Sequence, residues 1–151
     1  VHRAEVVAAV IAERDDATIV VSPGASSGLL WTGDPHPATI YNMELGYAMA
    51  TAYGIARGRP DRRAIAIEGD GSFFAGIQLL GTLARYPAAN LTVVVVANGI
   101  WGTGAADIAT TPGNAAQLAA VARGCGLPDD RVAVVDDAPS LRALLARARN
   151  E

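Results

Sequence analysis

The run Gly69-Asp70-Gly71-Ser72 closes one apolar stretch and opens into a helical one. Glycines let the backbone take left-handed angles and let a ligand come close. A serine at a helix start satisfies free N–H groups, and such a terminus attracts anions. Asp70 repels an anion bound beside it unless a cation intervenes. Asp70, a phosphate and Mg²⁺ together resolve that conflict. Mg²⁺ takes oxygen ligands, one or two from side chains and the rest from phosphate and water. Asn98 ends the next apolar run and offers a carboxamide oxygen; the Ile100 carbonyl offers a third ligand. Taken alone, "GDGS" reads equally well as a turn with a capping acid, because Asp-Gly is a common turn pair. Asn98 alone reads as a strand-ending turn residue. At the ends of two consecutive strands, they make a candidate metal and phosphate site.

The elements that must hold these residues follow from periodicity. Residues 2–14 repeat apolar side chains at helical spacing. Residues 17–22 read as a short buried strand, 23–31 and 32–37 as loops, and 38–42 as another short strand. A helix with small residues on one side spans 44–57, and 58–63 make a turn. A strand over 64–70 leads into a helix over 72–86 that stops before Pro87. Residues 91–98 contain four consecutive valines, as expected of a parallel strand buried on both faces. Residues 99–113 form a long irregular stretch, and such loops are usually functional. A helix at 114–123, a strand at 131–137 and a helix at 139–149 complete the chain. Strands alternate with helices, which predicts an α/β doubly wound, mostly parallel sheet with helices on both faces. Ligands of such sheets bind beyond the carboxyl ends of the strands.

Composition narrows the chemistry. A chain of 151 residues, 51% hydrophobic, favours a single domain over 1–151 with its own core. The apolar excess is Ala and Val, which predicts close helix-on-sheet packing. All 12 basic residues are Arg, so lysine-dependent phosphate loops and Schiff bases are excluded. The Arg residues are scattered and the net charge is −3, which argues against nucleic acid as a partner. One cysteine, Cys125, rules out an internal disulfide and reads as a small buried packing residue. No apolar run approaches a membrane span and no signal-peptide core opens the chain, so the expected location is cytoplasmic, with no membrane partner.

Gly69-Asp70-Gly71, then 26 residues, then Asn98, resembles the motif of thiamine diphosphate enzymes. "TIVVSPGASSGLLW", "MELGYAMATAYGIA", "IEGDGSFF" and "VVVVANGIWGTG" fall in the order of that family's diphosphate-binding domain, over about residues 17–127. The chain is similar to the small subunit of sulfopyruvate decarboxylase and the matching part of phosphonopyruvate decarboxylase. That resemblance implies the thiamine diphosphate-binding fold, with thiamine diphosphate and Mg²⁺ as cofactors. It implies Asp70, Asn98 and the Ile100 carbonyl as metal ligands. Gly69, Gly71 and Ser72 would hold the diphosphate, with Ile100, Trp101 and Gly102 beside it. Leu45 would prop the cofactor in its bent shape, and the Met43 carbonyl would accept from the aminopyrimidine. "SPGASS" would line the mouth.

The chain departs from the pattern in two places. Glu44 stands in "MELG", where the family usually has a Gly-Ser-Met-Gly type of run. It reads either as an acid in a helix first turn or as a catalytic carboxylate near the aminopyrimidine. The main catalytic Glu is expected on a partner chain. "TGAADIATTPG" also differs from the run that follows the motif in those decarboxylases. Trp101 follows the metal turn and closes either the pocket or a partner surface. His36 reads as a surface loop residue.

The resemblance implies one subunit of a split enzyme, because a site of this kind also needs a pyrimidine-binding domain. The expected assembly is an α2β2 heterotetramer acting on a small 2-oxo acid, the cofactor serving as electron sink for CO₂ loss. A carboligase of acyloin or acetolactate type is the alternative with the same cofactor. A non-catalytic partner subunit that retains the fold is the alternative of another class. A nucleotide-binding Rossmann-like domain ranks last, because no G-x-G-x-x-G follows the first strand.

Overall fold

The computed structural model describes residues 1–102, 108–109 and 114–150. Its centre is a four-stranded parallel sheet in the order β2-β1-β3-β4. The strands are β1 (Thr18–Val21), β2 (Thr39–Ile40), β3 (Ala64–Gly69) and β4 (Leu91–Val96). Side chains alternate across a strand, and here the alternation sorts residues by size. Ile19, Val21, Ile65, Ile67, Val94 and Val96 face one helical layer. Val20, Ala64 and Ala66 face the other.

The bulky face is covered by α1 (Arg3–Ala12), α2 (Ala25–Gly33) and α7 (Ala138–Asn150), through Val6, Val10, Leu30, Leu141 and Leu145. The alanine face receives α3 (Ala48–Gly58), which presents Ala48, Met49, Ala52 and Ala56, all at most 1% exposed. Small residues on both sides let helix and sheet approach closely, as the Ala content implied. The short helices α4 (Asp70–Ala75) and α5 (Leu79–Arg85), and then α6 (Ala115–Gly124), complete that layer through Phe73, Leu80 and Leu118. The α/β expectation therefore holds, with helices on both faces of a parallel sheet.

β2 lies on one side of β1 and β3 on the other. The chain thus leaves β1 in one direction and returns in the opposite one. That reversal opens a crevice at the carboxyl ends of β1 and β3, where open α/β sheets bind ligands.

Several boundaries differ from the sequence reading. Residues 25–33 are helical rather than a loop: Ser26, Ser27 and Leu30 are buried against neighbours, and that packing overrides a Gly- and Ser-rich composition. The helix expected from 44 begins at Ala48, because Gly46 takes φ +82°, which no helix continues through. The helix expected over 72–86 is two pieces, α4 and α5, divided at Gly76. A Cβ on Gly76 would clash with the Gly46 carbonyl oxygen, so the two glycines pack backbone to backbone. β4 is an edge among the described strands: Val94 and Val96 are buried, whereas Val93 and Val95 are half-buried rather than enclosed.

The segment 131–137 is not a strand. A 3₁₀ turn at Asp129–Arg131 leads into it, and it pairs with no strand among those described. Val132 O accepts from Arg123 Nη2, and Asp136 O accepts from the terminal ammonium of Val1. Cys125 is exposed rather than a packing residue, since the chain turns outward at the end of α6. Residues 100–101 and 108–109 form a two-stranded antiparallel ribbon, β5 (Ile100–Trp101) and β6 (Ile108–Ala109), inside the stretch expected to be irregular. The remainder of that stretch, 103–107 and 110–113, lies outside the described residues.

Gly76→Ala should force the 43–47 loop away from the α4–α5 junction. The expected cost is roughly 1–3 kcal/mol, or a melting temperature lower by roughly 2–10 °C in a thermal unfolding curve. An unchanged melting temperature would show that this backbone contact yields freely.

Candidate functional site

The site is assembled around the end of β3. Four side chains there accept hydrogen bonds from the backbones of neighbouring segments. Ser22 Oγ, at the end of β1, accepts from Gly69 N at 3.3 Å. Glu68 Oε1 accepts from Met49 N, in the first turn of α3, at 2.8 Å. Ser72 Oγ accepts from Gly46 N at 3.0 Å. Asp70 Oδ2 accepts from Gly99 N, just beyond β4, at 2.6 Å, and its Oδ1 from Gly71 N at 2.9 Å. The register that pairs Gly69 with Val96 places the β3 and β4 ends side by side, so Asp70 reaches Gly99 without a detour. Gly99 has φ +73°, the left-handed region that glycine tolerates best.

A cavity of about 280 Å³ opens above this junction. Of the residues nominated from the sequence, Leu45, Gly69, Asp70, Gly71, Ser72 and Asn98 line it, as do Ile100, Trp101 and Gly102. Ser22 to Ser26, after β1, form the facing wall. Met43 and Glu44 are not part of the lining. Met43 N donates to Val21 O and extends the β1–β2 edge, while Glu44 is exposed. Ser72 does not cap a helix as expected: α4 starts at Asp70 with Gly69 as its N-cap, and the Ser72 hydroxyl instead holds the 43–47 loop. His36 is a turn residue whose Nδ1 accepts from Ala38 N.

Asp70 is 1% exposed and Asn98 is exposed, so the two oxygens span the cavity floor and its rim. Asn98 Oδ1 accepts from Ile100 N at 3.0 Å, which fixes the carboxamide over the turn. A carboxylate and an amide carbonyl are both oxygen donors of the kind a hard cation takes. Among the described residues no group of three His, Cys, Asp or Glu gathers to hold a metal. The donor set is therefore one carboxylate, one carboxamide and backbone. That set suits a hard cation that completes its shell with phosphate and water, and it suits no thiolate or imidazole metal. The residues fit Mg²⁺ carried with a diphosphate.

Trp101 bears directly on Gly71. A Cβ there would lie 2.8 Å from Trp101 Cδ2, so the indole rests against the Gly71 backbone. The missing side chain that sequence reading assigned to a ligand's approach is used first by this ring.

Sequence reading passed over Glu68 and Arg3. Glu68 is fully buried, with Oε2 unpartnered among the described residues. Its signal was an acid inside an otherwise apolar strand, directly before the motif. Arg3 lines the cavity from the start of α1, a position that only the topology brings near residue 70.

Residues 30–151 match the family described as the thiamine pyrophosphate enzyme, C-terminal TPP binding domain. The chain belongs to that family. It is 31% identical over 112 residues to a phosphonopyruvate decarboxylase of Streptomyces viridochromogenes, covering 74% of this chain and 28% of that protein. It is 31% identical over 103 residues to a 2-hydroxyacyl-CoA lyase of Oryza sativa subsp. japonica, covering 62% of this chain and 18% of that protein. The fold matches that of a thiamine diphosphate-dependent 4-hydroxybenzoylformate decarboxylase of Rhodococcus jostii RHA1, with a TM-score of 0.77 and 24% identity over all of this chain and 31% of that one. The chain thus spans under a third of the length of these proteins. Among the described residues no helix is long and apolar enough to cross a membrane.

Burial raises the Glu68 carboxyl above its ordinary value, against a smaller opposing hydrogen bond from the Met49 amide. An acid raised in the fold contributes stability that is complete below the unfolded value, here 4.5, and is lost as pH rises through the folded one. Glu68→Gln keeps an oxygen for Met49 N and does not titrate. Its unfolding free energy relative to wild type should therefore climb with pH above about 4.5 in denaturant titrations without metal. A difference that stays flat with pH would show that the carboxyl is not desolvated.

Proposed function

We propose that this domain binds the diphosphate of thiamine diphosphate, through Mg²⁺, in an enzyme that decarboxylates a small 2-oxo acid. The observation that carries the reading is the buried Asp70 carboxylate at the cavity floor, with Asn98 at the rim, at the carboxyl ends of two adjacent parallel strands. Family membership supports the cofactor, and the likeness to a phosphonopyruvate decarboxylase supports the reaction class.

When bound, the cofactor supplies the electron sink for carbon–carbon cleavage. The chain's own residues bind and orient it. Asp70 and Asn98 would hold the cation, with the Ile100 carbonyl as a further ligand. Gly69, Gly71 and Ser72 would sit against the diphosphate, with Gly102 at the edge. Leu45 would support the ring system from the wall of the cavity. Trp101, resting on Gly71, would keep water from that side of the diphosphate.

At about 280 Å³ the cavity lies at the lower end of ligand sites, which run to roughly 300–1,000 Å³. We assign the other half of the site to a pyrimidine-binding domain on a separate chain, in an α2β2 assembly, which would also bring the main catalytic glutamate. Glu44 is exposed at the rim of the turn before α3 and is available to that partner surface. The likeness to a 2-hydroxyacyl-CoA lyase favours a second reading, carbon–carbon lysis or ligation on the same cofactor.

Asp70→Ala in the assembled enzyme should weaken Mg²⁺-dependent thiamine diphosphate binding roughly 100-fold, about 2.8 kcal/mol, and remove decarboxylation while the subunits stay together. Calorimetric titration and a 2-oxo acid screen measure both; retained cofactor affinity would sink the metal assignment. Purification of the protein from its own host, followed by native mass spectrometry, should show a second polypeptide and bound cofactor. Full activity of this chain by itself would refute the split assembly.

A further inference from the structure

We propose that Arg3 is an oxyanion-binding residue of the cavity, taking either the carboxylate of the 2-oxo acid or the diphosphate of the cofactor. The inference rests on the functional reading above and adds a recognition residue to it.

Geometry supplies the first argument. α1 packs on the bulky face of the sheet and is joined to β1 by a short turn in which Asp15 takes φ 53°. A helix so connected runs back along the sheet, and its first residue lies over the carboxyl ends of the strands. Arg3 accordingly shares the cavity lining with Ser22, Ser72 and Asn98.

Charge supplies the second. Among the described lining residues Arg3 is the only cation and Asp70 the only acid. A metal held by Asp70 uses that negative charge. A 2-oxo acid or a diphosphate then brings more negative charge into the same space, and Arg3 is the side chain there that can answer it. Among the described residues no hydrogen bond or ion pair occupies its guanidinium, whereas Arg14, Arg59, Arg123 and Arg142 are all paired. The planar fork of Arg matches carboxylate and phosphate with two parallel hydrogen bonds.

Rigidity supplies the third. Glu5 Oε2 accepts from His2 N at 2.7 Å and fixes the start of α1. Val6, Val7 and Val10 anchor its face. At the far end, Arg14 donates to Asp34, to Thr39 and to the Ala38 carbonyl, so α1 is clamped to α2 and β2. The Arg3 stem thus projects from a fixed platform.

The test uses the assembled enzyme with Arg3→Gln, which removes the charge and keeps a polar side chain, and Arg3→Lys, which keeps the charge. Thiamine diphosphate with Mg²⁺ is titrated by Trp fluorescence, KM is measured for the 2-oxo acid found active, and melting is followed in parallel. Arg3→Gln should weaken one of the two ligands roughly tenfold to a hundredfold, with Arg3→Lys intermediate and melting unchanged. A raised KM at constant cofactor Kd assigns the carboxylate; a raised Kd assigns the diphosphate. Unchanged Kd and KM in Arg3→Gln would overturn the proposal, as would a loss that comes with lowered melting. If wild type itself binds no thiamine diphosphate, the functional reading has failed, which is a different result from a silent Arg3 substitution.

Discussion

A carboxylate that is 1% exposed at the end of a parallel strand must be stabilised by what surrounds it. Asp70 meets that demand with backbone: Gly71 N–H on one oxygen and Gly99 N–H on the other. The second bond ties the ends of β3 and β4 together and fixes where the turn carrying Asn98 begins. Ser22, Glu68 and Ser72 repeat the device toward β1, α3 and the 43–47 loop. The segments that wall the cavity are thus held by acceptors clustered at one strand end. Among these acceptors, Asp70 is also the one assigned to the cation under the proposed function, so on that reading one carboxylate serves both fold and cofactor.

The sheet makes that arrangement possible. Alternation puts Ile and Val of β1 and β3 on one face and mostly Ala on the other. The alanine face lets α3 come close enough for Met49 N to meet Glu68, and it brings Gly46 against Gly76 with no room for a side chain. Reversal of chain direction around β1 leaves the crevice open above these contacts. On the opposite face α1 returns toward the same edge and delivers Arg3 to it. The cavity is therefore built by both helical layers, although the Asp70 and Asn98 oxygens proposed for the metal come from the ends of β3 and β4 alone.

Much of this was legible in the sequence because it was local. The run of valines lies within one strand, and the Gly-Asp-Gly run and Asn98 each mark a strand end, where residue type strongly biases conformation. What was not legible depended on contacts across the chain. Residues 25–33 look like a loop by composition and are helical because Ser27 and Leu30 are buried against other segments. Residues 131–137 look like a strand but pair with no strand among those described, and the Val132 carbonyl accepts from Arg123 instead. The Ser72 hydroxyl serves a distant loop rather than its own helix. Arg3 carries no local signal, since only topology places it by residue 70.

The central claim is that the oxygens of Asp70 and Asn98 share one divalent cation with a diphosphate. The direct measurement is a crystal structure of the assembled protein with thiamine diphosphate and Mn²⁺ in place of Mg²⁺, read by anomalous scattering. The account predicts one anomalous peak between the Asp70 carboxylate and the Asn98 carboxamide, with diphosphate oxygens on its remaining side. A peak elsewhere, or cofactor bound with no metal at that position, would contradict it.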